Sequence, residues 1–346
     1  MKIEKQILFG KTLSELQQIA NDNRWPKFIA KQITDWLYKK DISSIDEMSN
    51  LSKKVRSFLS EHYELGLKKP VNVQESVDGT KKYLYPAKGN NFIEAAYIPD
   101  RDRATLCVST QVGCKMACDF CMTGKQGFQS NLSAAEIVNQ VKSLPEKEKL
   151  TNIVYMGMGE PLDNPVEVMK SLEIITSEWG FAMSPRRITV STIGIIPAMI
   201  DFLENSEVHL AVSLHTPFAE ERRKLMPVQN AHPIQEVINT LKRYDFSGQR
   251  RISFEYIMFK GINDQTKHVK ELSKLVDGLK CRINLIRFHK IPDSLLEGCD
   301  LKTMEWFRDE LNKNHITTTI RASRGEDIFA ACGLLSTKEK TNTNEE

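Results

Sequence analysis

Long apolar runs are missing from this chain of 346 residues, since none approaches the ~20 residues that a membrane-spanning helix needs. The first ten residues carry charges on both sides of a very short apolar run, unlike a signal peptide. No internal repeat or low-complexity block is visible. Hydrophobic residues make up 40% of the chain and charged residues 27%. This composition predicts a globular protein of the cytoplasm, without a membrane partner.

A second cysteine pair of the kind found in structural zinc sites is also absent. Such sites usually combine two Cys-x2-Cys or Cys/His knuckles. Three of the seven cysteines lie in one short segment, and the other four form no further knuckle: Cys107, Cys281, Cys299 and Cys332. An odd count without an export signal argues against a disulfide framework and favours a reducing compartment. A zinc site remains a second possibility, well behind an iron–sulfur cluster.

A strong net charge is the third missing feature. The balance of +3 is too small to indicate nucleic-acid binding by itself. Residues 1–70, however, carry 13 Lys or Arg against 9 Asp or Glu. Apolar residues recur there at helical spacing, and Thr12 precedes the first such segment as a candidate cap. We therefore predict that residues 1–70 form a helical accessory domain whose basic residues contact phosphates, although a solvated helix surface is equally compatible with this charge.

Residues 71–103 alternate as strands do and predict a β-hairpin linker, with Asp78-Gly79 at the turn. From residue 104 strands alternate with helices. The predicted strands are 105–109, 152–157, 187–192, 209–214, 252–258, 282–288 and 316–321; the predicted helices include 133–143, 166–178, 268–279 and 304–313. This alternation predicts an α/β domain over 104–336, built as an incomplete TIM-type (β/α)6 barrel. The strand order does not follow from it. A disordered tail is predicted for 337–346.

Three cysteines stand together in Cys114-Lys-Met-Ala-Cys118-Asp-Phe-Cys121. Thiolates are soft ligands that suit iron–sulfur clusters and zinc. A four-iron cluster with three protein ligands keeps one iron open, as a catalytic metal site does. The Cys-x3-Cys-x2-Cys spacing therefore predicts a [4Fe-4S] cluster that binds a substrate, and it resembles the motif of the radical S-adenosylmethionine (SAM) superfamily.

Further polar and glycine residues follow the first four predicted barrel strands. The cysteine loop follows the first strand, Gly157-Met-Gly159-Glu160-Pro161 the second, Ser191-Thr192 ends the third, and Ser213-Leu214-His215 ends the fourth. In barrels of this type, chemistry occurs at the carboxyl ends of the strands. Each segment alone is compatible with an ordinary turn. Their shared position predicts a ligand site in which Glu160 binds an ammonium group.

The chain also resembles the radical-SAM RNA adenine C2-methyltransferases, which act on 23S ribosomal RNA and on some tRNAs. The resemblance extends from the helical segment to about Ser336. It rests on blocks in the family order: Arg103–Cys114 with the cysteine motif, Gly124–Phe128, Met156–Leu162, Ser184–Thr192, Ser213–His215, Arg223–Pro227 and Arg324–Gly333.

The resemblance implies a mechanism that uses two SAM molecules. Cys332 takes a methyl group from the first. The second is split at the cluster, and its 5′-deoxyadenosyl radical removes hydrogen from that methyl group. The methylene radical adds to adenine carbon 2, Glu94 accepts the proton, and Cys107 releases the product as a Cys107–Cys332 disulfide forms. From the residues alone, Cys107 and Cys332 are equally compatible with inert cysteines, and Glu94 with an exposed strand glutamate.

The resemblance further assigns SAM contacts to Gly159, Glu160, Ser191, Ser213, Leu214, His215 and His289, and cluster ligation to Cys114, Cys118 and Cys121. At position 289 many family members have Asn, whose amide a histidine ring does not copy. The implied partners are 23S rRNA, tRNA and an external, flavodoxin-like electron donor, and we expect a monomer. Two alternatives remain open: a C8-methylating relative acting on the same rRNA adenine, and a zinc-structured, non-catalytic RNA-binding protein.

Overall fold

A computed structural model describes residues 5–337, and residues 5–70 form a small helical unit. Its elements are β1 (Gln6–Ile7), α1 (Leu13–Asp22), α2 (Phe28–Thr34), α3 (Lys53–His62) and β2 (Tyr63–Glu64). Thr12 caps α1 as predicted, because its hydroxyl accepts from the Glu15 amide while the Glu15 carboxylate accepts from the Thr12 amide. The predicted second helix ends at Thr34 and continues as a π-helical turn over Asp35–Lys39.

The helical unit packs directly on the rest of the chain. Tyr38 is buried and lies against the rings of Trp179 and Phe181. The ammonium of Lys142 reaches the carbonyl oxygen of Lys40 at 2.7 Å. A side chain at Gly10 would collide with the backbone of Ala135, 2.5 Å away. The unit therefore has a fixed orientation on the larger domain.

Three antiparallel strands follow: β3 (Asn72–Glu75), β4 (Lys81–Pro86) and β5 (Phe92–Asp100). Gly79 at the turn has φ +82°, a conformation that glycine adopts easily, and the Asp78 carboxylate accepts from the Thr80 amide. These strands confirm the predicted hairpin. They do not stand apart from the barrel, because β5 pairs with the first barrel strand and so extends the same sheet.

The remaining elements alternate as predicted. In chain order they are β6 (Arg103–Cys107), β7 (Gln111–Val112), α4 (Met122–Gln126), β8 (Ser130–Asn131), α5 (Ala134–Lys142), β9 (Asn152–Tyr155), α6 (Pro165–Thr176), β10 (Ile188–Thr192), α7 (Ile196–Asn205), β11 (His209–Ser213), α8 (Ala219–Leu225), α9 (Ile234–Leu241), β12 (Ile252–Met258), α10 (Thr266–Leu275), β13 (Cys281–Arg287), α11 (Leu301–Lys313) and β14 (Thr317–Ile320). No helix in this described part of the chain is long and apolar enough to cross a membrane.

One ten-stranded sheet results, in the order β14-β13-β12-β11-β10-β9-β6-β5-β4-β3. Within this sheet β6, β9, β10, β11, β12, β13 and β14 are parallel. Each pairs with the next of this series, and a helical connection joins the two. The short strands β7 and β8 form a separate antiparallel pair. Strands β3 and β14 lie at the two ends of the sheet and are not paired with each other. The sheet is thus the predicted incomplete barrel, with six strand–helix units before the last strand.

Sequential parallel pairing places all carboxyl ends of these strands on one rim. The strand residues that face the core are apolar and buried, for example Ile153, Val190, Leu210, Phe254 and Ile283. At the end of the described chain, Thr337 is buried and its hydroxyl donates to the carbonyl oxygen of Phe92. Thr337 is therefore ordered, contrary to the predicted tail, because these contacts tie it down. The rest of that tail lies outside the described residues.

Candidate active site

A cavity of about 460 Å³ opens at the rim formed by the parallel strands. It brings together nearly all residues that the sequence assigned to catalysis, cofactor binding or metal ligation. These are Cys107, Cys114, Cys118, Cys121, Gly159, Glu160, Ser191, Ser213, His215, His289 and Cys332. The cavity thus lies at the carboxyl ends of the parallel strands, where chemistry occurs in folds of this type.

Two predicted residues do not line this cavity within residues 5–337. Leu214 is fully buried, and only its backbone serves the site: its carbonyl oxygen accepts from the Arg222 side chain. Glu94 is 1% exposed and lies beside the cavity, where its carboxylate pairs with the Lys82 ammonium at 3.3 Å. The expectation that Glu94 is an exposed strand glutamate is wrong, because β5 lies between two other strands and beneath the C-terminal segment.

The cysteine loop joins β7 to α4 and turns sharply. The Cys121 amide donates to the Cys118 carbonyl oxygen at 3.2 Å, and the Asp119 amide donates to the Leu225 carbonyl oxygen. Burial raises the pKa of the Cys114 thiol to about 12 and that of the Cys118 thiol well above its usual range, and the neighbouring thiols add to both shifts. Three close thiols of this kind become ligands only when a metal replaces their protons.

The donor set therefore suits an iron–sulfur cluster held by Cys114, Cys118 and Cys121. In residues 5–337, no three His, Cys, Asp or Glu side chains are gathered closely enough to hold a single metal ion. The thiolates of a polynuclear cluster, by contrast, each bind a different iron atom.

The loop after β9 presents a carboxylate that is held from several sides. Glu160 is buried; its side chain accepts from the amides of Leu162 and Ile193, each at 3.0 Å. Burial nevertheless raises its pKa to about 7. Gly159 has φ +98°, and a Cβ there would lie 2.5 Å from Gln111. The glycine thus allows the backbone to pass close to β7 and orients Glu160 into the cavity.

His215 has a fixed tautomer. Its backbone has φ +59°, and its Nδ1 accepts from the Ile257 amide at 3.0 Å, so the proton of the neutral ring is on Nε2. Burial and the nearby Arg222 guanidinium lower its pKa to about 3. A neutral ring can donate from Nε2 to a polar atom of a bound ligand.

Cys107 and Cys332 meet in the same cavity although they lie at opposite ends of the domain. Cys107 ends β6 and is 9% exposed, whereas Cys332 is exposed in the loop after β14. Burial raises the pKa of the Cys107 thiol to about 12, and the neighbouring Cys332 thiol adds to the shift. The fold thus brings the two side chains into one cavity.

The segment that carries Cys332 is held on both sides of this residue. The Lys82 ammonium donates to the Phe329 carbonyl oxygen at 3.4 Å, and the Ser336 amide donates to the Glu94 carboxylate at 3.2 Å. Closer to the cysteine, the Met122 amide donates to the Gly333 carbonyl oxygen at 2.8 Å. Met122 directly follows the last cysteine of the loop. The position of Cys332 is thus set relative to both β5 and the cysteine loop.

His289 follows β13 and is 7% exposed. Its Nε2 lies 3.0 Å from the Ser323 hydroxyl, and its Nδ1 lies 3.1 Å from a Glu326 carboxylate oxygen. Both partners belong to the loop between β14 and Cys332. His289 therefore lines the cavity and also contacts the loop that carries Cys332.

The sequence reasoning missed several charged residues of the site, of which Arg321, Glu255 and Arg222 have the clearest contacts. Arg321 and Glu255 line the cavity, and the fully buried Arg222 donates to the carbonyl oxygens of Ile193 and Ser213. For two of these residues the sequence holds a feature that could have identified them. Glu255 interrupts an apolar predicted strand, and Arg321 ends the last predicted strand on the catalytic rim.

The sequence comparisons agree with this geometry. Residues 108–272 match the Radical SAM superfamily, and residues 7–65 match the ribosomal RNA large subunit methyltransferase N-terminal domain. The chain is 59% identical over 340 residues to the "Probable dual-specificity RNA methyltransferase RlmN" of Phocaeicola vulgatus, covering 98% of this chain and 97% of the relative. It is 41% identical over 331 residues to the "Dual-specificity RNA methyltransferase RlmN" of Syntrophus aciditrophicus, covering 94% and 95%.

Among solved structures, a radical SAM methyltransferase from Sphaerobacter thermophilus superposes with a TM-score of 0.89 at 37% identity, covering 95% of this chain and 99% of that one. Membership of the radical SAM superfamily implies a [4Fe-4S] cluster and SAM, for which the three loop cysteines and the rim cavity are suited. The chain belongs to the RlmN family of dual-specificity radical SAM RNA methyltransferases.

Proposed function

We propose that this methyltransferase methylates carbon 2 of a specific adenine in 23S rRNA and in tRNAs, through a methyl group carried on Cys332, with two SAM consumed per turnover. The observation that supports this most directly is the meeting of Cys107 and Cys332 in one cavity with the three loop thiols. Adenine carbon 2 is neither nucleophilic nor acidic, so polar methyl transfer from SAM does not reach it. Covalent catalysis divides this reaction into feasible steps.

The cavity residues have separate tasks in this scheme. Cys114, Cys118 and Cys121 would hold a [4Fe-4S] cluster, which would supply the electron for cleavage of SAM to methionine and a 5′-deoxyadenosyl radical. Glu160 binds the amino group of SAM, since its carboxylate is fixed by backbone amides. Gly159, Ser191, Ser213, His215 and the backbone of Leu214 form the surrounding wall. His289 takes the SAM-contact position at the other side of the cavity.

Cys332 carries the carbon. Its thiolate takes the methyl group of the first SAM by displacement and forms a thioether. Loss of a hydrogen atom gives a methylene radical, which adds to adenine carbon 2 and joins protein and RNA. The carbon 2 proton passes to Glu94, and the unpaired electron of the purine leaves to a one-electron carrier. Glu94 accepts one hydrogen bond from the Ser336 amide, and an ionised carboxylate keeps further lone pairs that can take a proton.

Cys107 completes the cycle. Its thiolate attacks the Cys332 sulfur, a disulfide forms, and the carbon–sulfur bond breaks with its electron pair on the methylene carbon, which takes a proton and becomes the methyl group. An external reductant then supplies the two electrons that reopen the disulfide, and a flavodoxin-like donor is the proposed source of the electron for SAM cleavage. Residues 1–70 bind RNA phosphates in this proposal, and the protein works as a monomer in the cytoplasm.

Two cysteine variants test the scheme. Cys107→Ala retains the carrier, so it accumulates protein covalently attached to RNA, whereas Cys332→Ala and the double variant do not. Denaturing gel electrophoresis with RNase treatment and mass spectrometry detect the adduct. Absence of the adduct in Cys107→Ala, where the wild-type enzyme turns over, contradicts the assigned roles. Mass spectrometry of product nucleosides separates 2-methyladenosine from 8-methyladenosine, and the latter would indicate C8 methylation instead.

A further inference from the structure

Arg321 is a charged residue of the cavity for which the scheme above has no task. Its backbone amide donates to the Leu285 carbonyl oxygen at 2.8 Å, which continues the pairing of β14 with β13 for one residue. This bond fixes the backbone at the rim, and the side chain extends into the cavity that holds Cys107 and Cys332. The guanidinium therefore lies where the two reacting sulfurs meet.

Two contacts fix the guanidinium. Its Nη1 lies 3.3 Å from the Met156 sulfur and 3.6 Å from a carboxylate oxygen of Glu255. Glu255 is 4% exposed, and its other oxygen accepts from the Asn284 amide group at 2.7 Å. The oxygen that faces Arg321 has no hydrogen-bond partner in the described chain. Because 3.6 Å is too long for a hydrogen bond between Arg321 and Glu255, N–H groups of the guanidinium remain available to another acceptor.

Cys107 is adjacent to this cation. Met156, whose sulfur touches Arg321, also packs against the small apolar cluster that contains Cys107. Burial and the Cys332 thiol raise the pKa of Cys107, and the Arg321 charge opposes the rise. The effect is reciprocal, because Cys332, and to a smaller extent Cys107, raise the pKa of Arg321.

We propose that Arg321 is a catalytic residue whose guanidinium stabilises the Cys107 thiolate during product release. The inference rests on the proposed function, in which Cys107 attacks the Cys332 sulfur. Only a thiolate attacks at a useful rate, and a buried thiol without a nearby cation stays protonated. The Cys107–Cys332 bond forms, the bond from sulfur to the methylene carbon breaks, and that carbon leaves with the electron pair and is protonated. Cys107 and Cys332 are oxidised to the disulfide, and the carbon is reduced to methyl.

The test compares three variants of the full-length, cluster-loaded enzyme incubated with SAM, reductant and RNA. Arg321→Met removes the charge while keeping a long side chain. We expect it to methylate Cys332 and to accumulate the protein–RNA adduct, as Cys107→Ala does. Arg321→Lys retains a charge, so it should restore part of the release. Arg308→Met is the matched control, because Arg308 pairs with Asp309 at 2.8 Å on α11 and does not line the cavity within the described residues; it should accumulate no adduct.

A second measurement does not depend on turnover. In a Cys332→Ala background, the rate of Cys107 alkylation by iodoacetamide reports its thiolate fraction. Arg321→Met should slow this alkylation by about tenfold at neutral pH, since each unit of pKa changes the thiolate fraction tenfold. Mass spectrometry of the Cys107 peptide gives the rate.

The outcomes separate the two proposals. If Cys107→Ala accumulates the adduct while Arg321→Met releases product at the wild-type rate, or never methylates Cys332, the role of Arg321 is wrong and the proposed function stands. An unchanged alkylation rate also overturns it. If Cys107→Ala itself gives no adduct, the release scheme fails and the role of Arg321 fails with it.

Discussion

The cysteine loop and the Cys107–Cys332 pair line the same cavity but are built in different ways. The loop cysteines are three residues of one turn, and their thiols are close because the chain between them is short. Cys107 and Cys332 come from the first barrel strand and from the last described loop. Burial raises the thiol pKa in both regions, and a guanidinium opposes the rise in each: Arg321 at Cys107 and Arg222 at Cys118. The regions differ in how many thiols they gather. Three thiols on one turn suit a metal cluster, and two that only the fold brings together suit thiol chemistry.

The largest expected effect comes from the loop. Cys118→Ala removes one of only three protein bonds to the cluster, so iron retention and reductive SAM cleavage should be lost together. Iron analysis and measurement of 5′-deoxyadenosine check this. Cys281→Ala is the control, since Cys281 does not line the cavity in the described residues. A Cys118→Ala enzyme that still cleaves SAM at a normal rate would end the assignment of the cluster ligands.

The second largest effect is expected at Glu160. In the proposed function every SAM molecule binds beside this residue, so a change there affects both the cysteine loop and the Cys107–Cys332 pair. Its pKa of about 7 lies above that of a free carboxyl, so Glu160 becomes ionised as the pH rises through 7. SAM carries an ammonium group that the ionised form binds. SAM affinity should therefore rise by about tenfold per pH unit below 7 and level off above it, with proton release on binding.

Glu160→Gln should remove this pH dependence and weaken SAM binding by about 30-fold at pH 8, because a hydrogen bond to a charged group contributes about 2 kcal/mol. Calorimetric titration of the anaerobic, cluster-loaded enzyme between pH 6 and 8.5 measures both quantities. Glu297→Gln, at an exposed ion pair with Lys260, is the control. A titration of Glu160→Gln that keeps the wild-type slope would assign the pH dependence to another group.

A smaller expected effect distinguishes the Cys107–Cys332 pair from the cysteine loop, because it lowers RNA methylation and not SAM cleavage. Lys82→Met removes the ammonium that joins the Phe329 carbonyl oxygen to Glu94, so the Cys332 segment loosens while the cysteine loop stays intact. RNA methylation should fall by about tenfold, since one charged hydrogen bond contributes about 1.5 kcal/mol. SAM cleavage should change by less than about twofold. Product analysis and hydrogen exchange over residues 329–336 test this.

Lys81→Met is the matched control for Lys82→Met. The neighbouring lysine pairs with Glu146 at 3.0 Å, away from the Cys332 segment. It should leave both reactions near their wild-type rates. Equal losses of RNA methylation in the two lysine variants would show that the β4 strand as a whole, and not the Lys82 contacts, positions Cys332.

The sequence determined the local features, because they depend on short stretches of chain. Alternating strands and helices predicted the barrel, the cysteine spacing predicted the cluster loop, and Thr12 as a candidate cap predicted the start of α1. Gly159 and Glu160 were found because a strand end precedes them. Resemblance, not spacing, assigned tasks to Cys107, Cys332 and Glu94, since inert cysteines and a strand glutamate have the same sequence pattern.

Only the tertiary structure decided which distant groups meet. The strand order places β6 beside β9 and β14 at the far end of the curved sheet, and the loop after β14 returns to bring Cys332 beside Cys107. Lys82 and Glu94 contact that loop because β4 and β5 extend the same sheet. Arg321 contacts Met156, and Met156 packs against the cluster that contains Cys107. The three residues lie at the ends of three different strands, which no local sequence pattern connects. Electrostatic stabilisation of a buried thiolate acts over a few ångströms of space, whatever the separation along the chain.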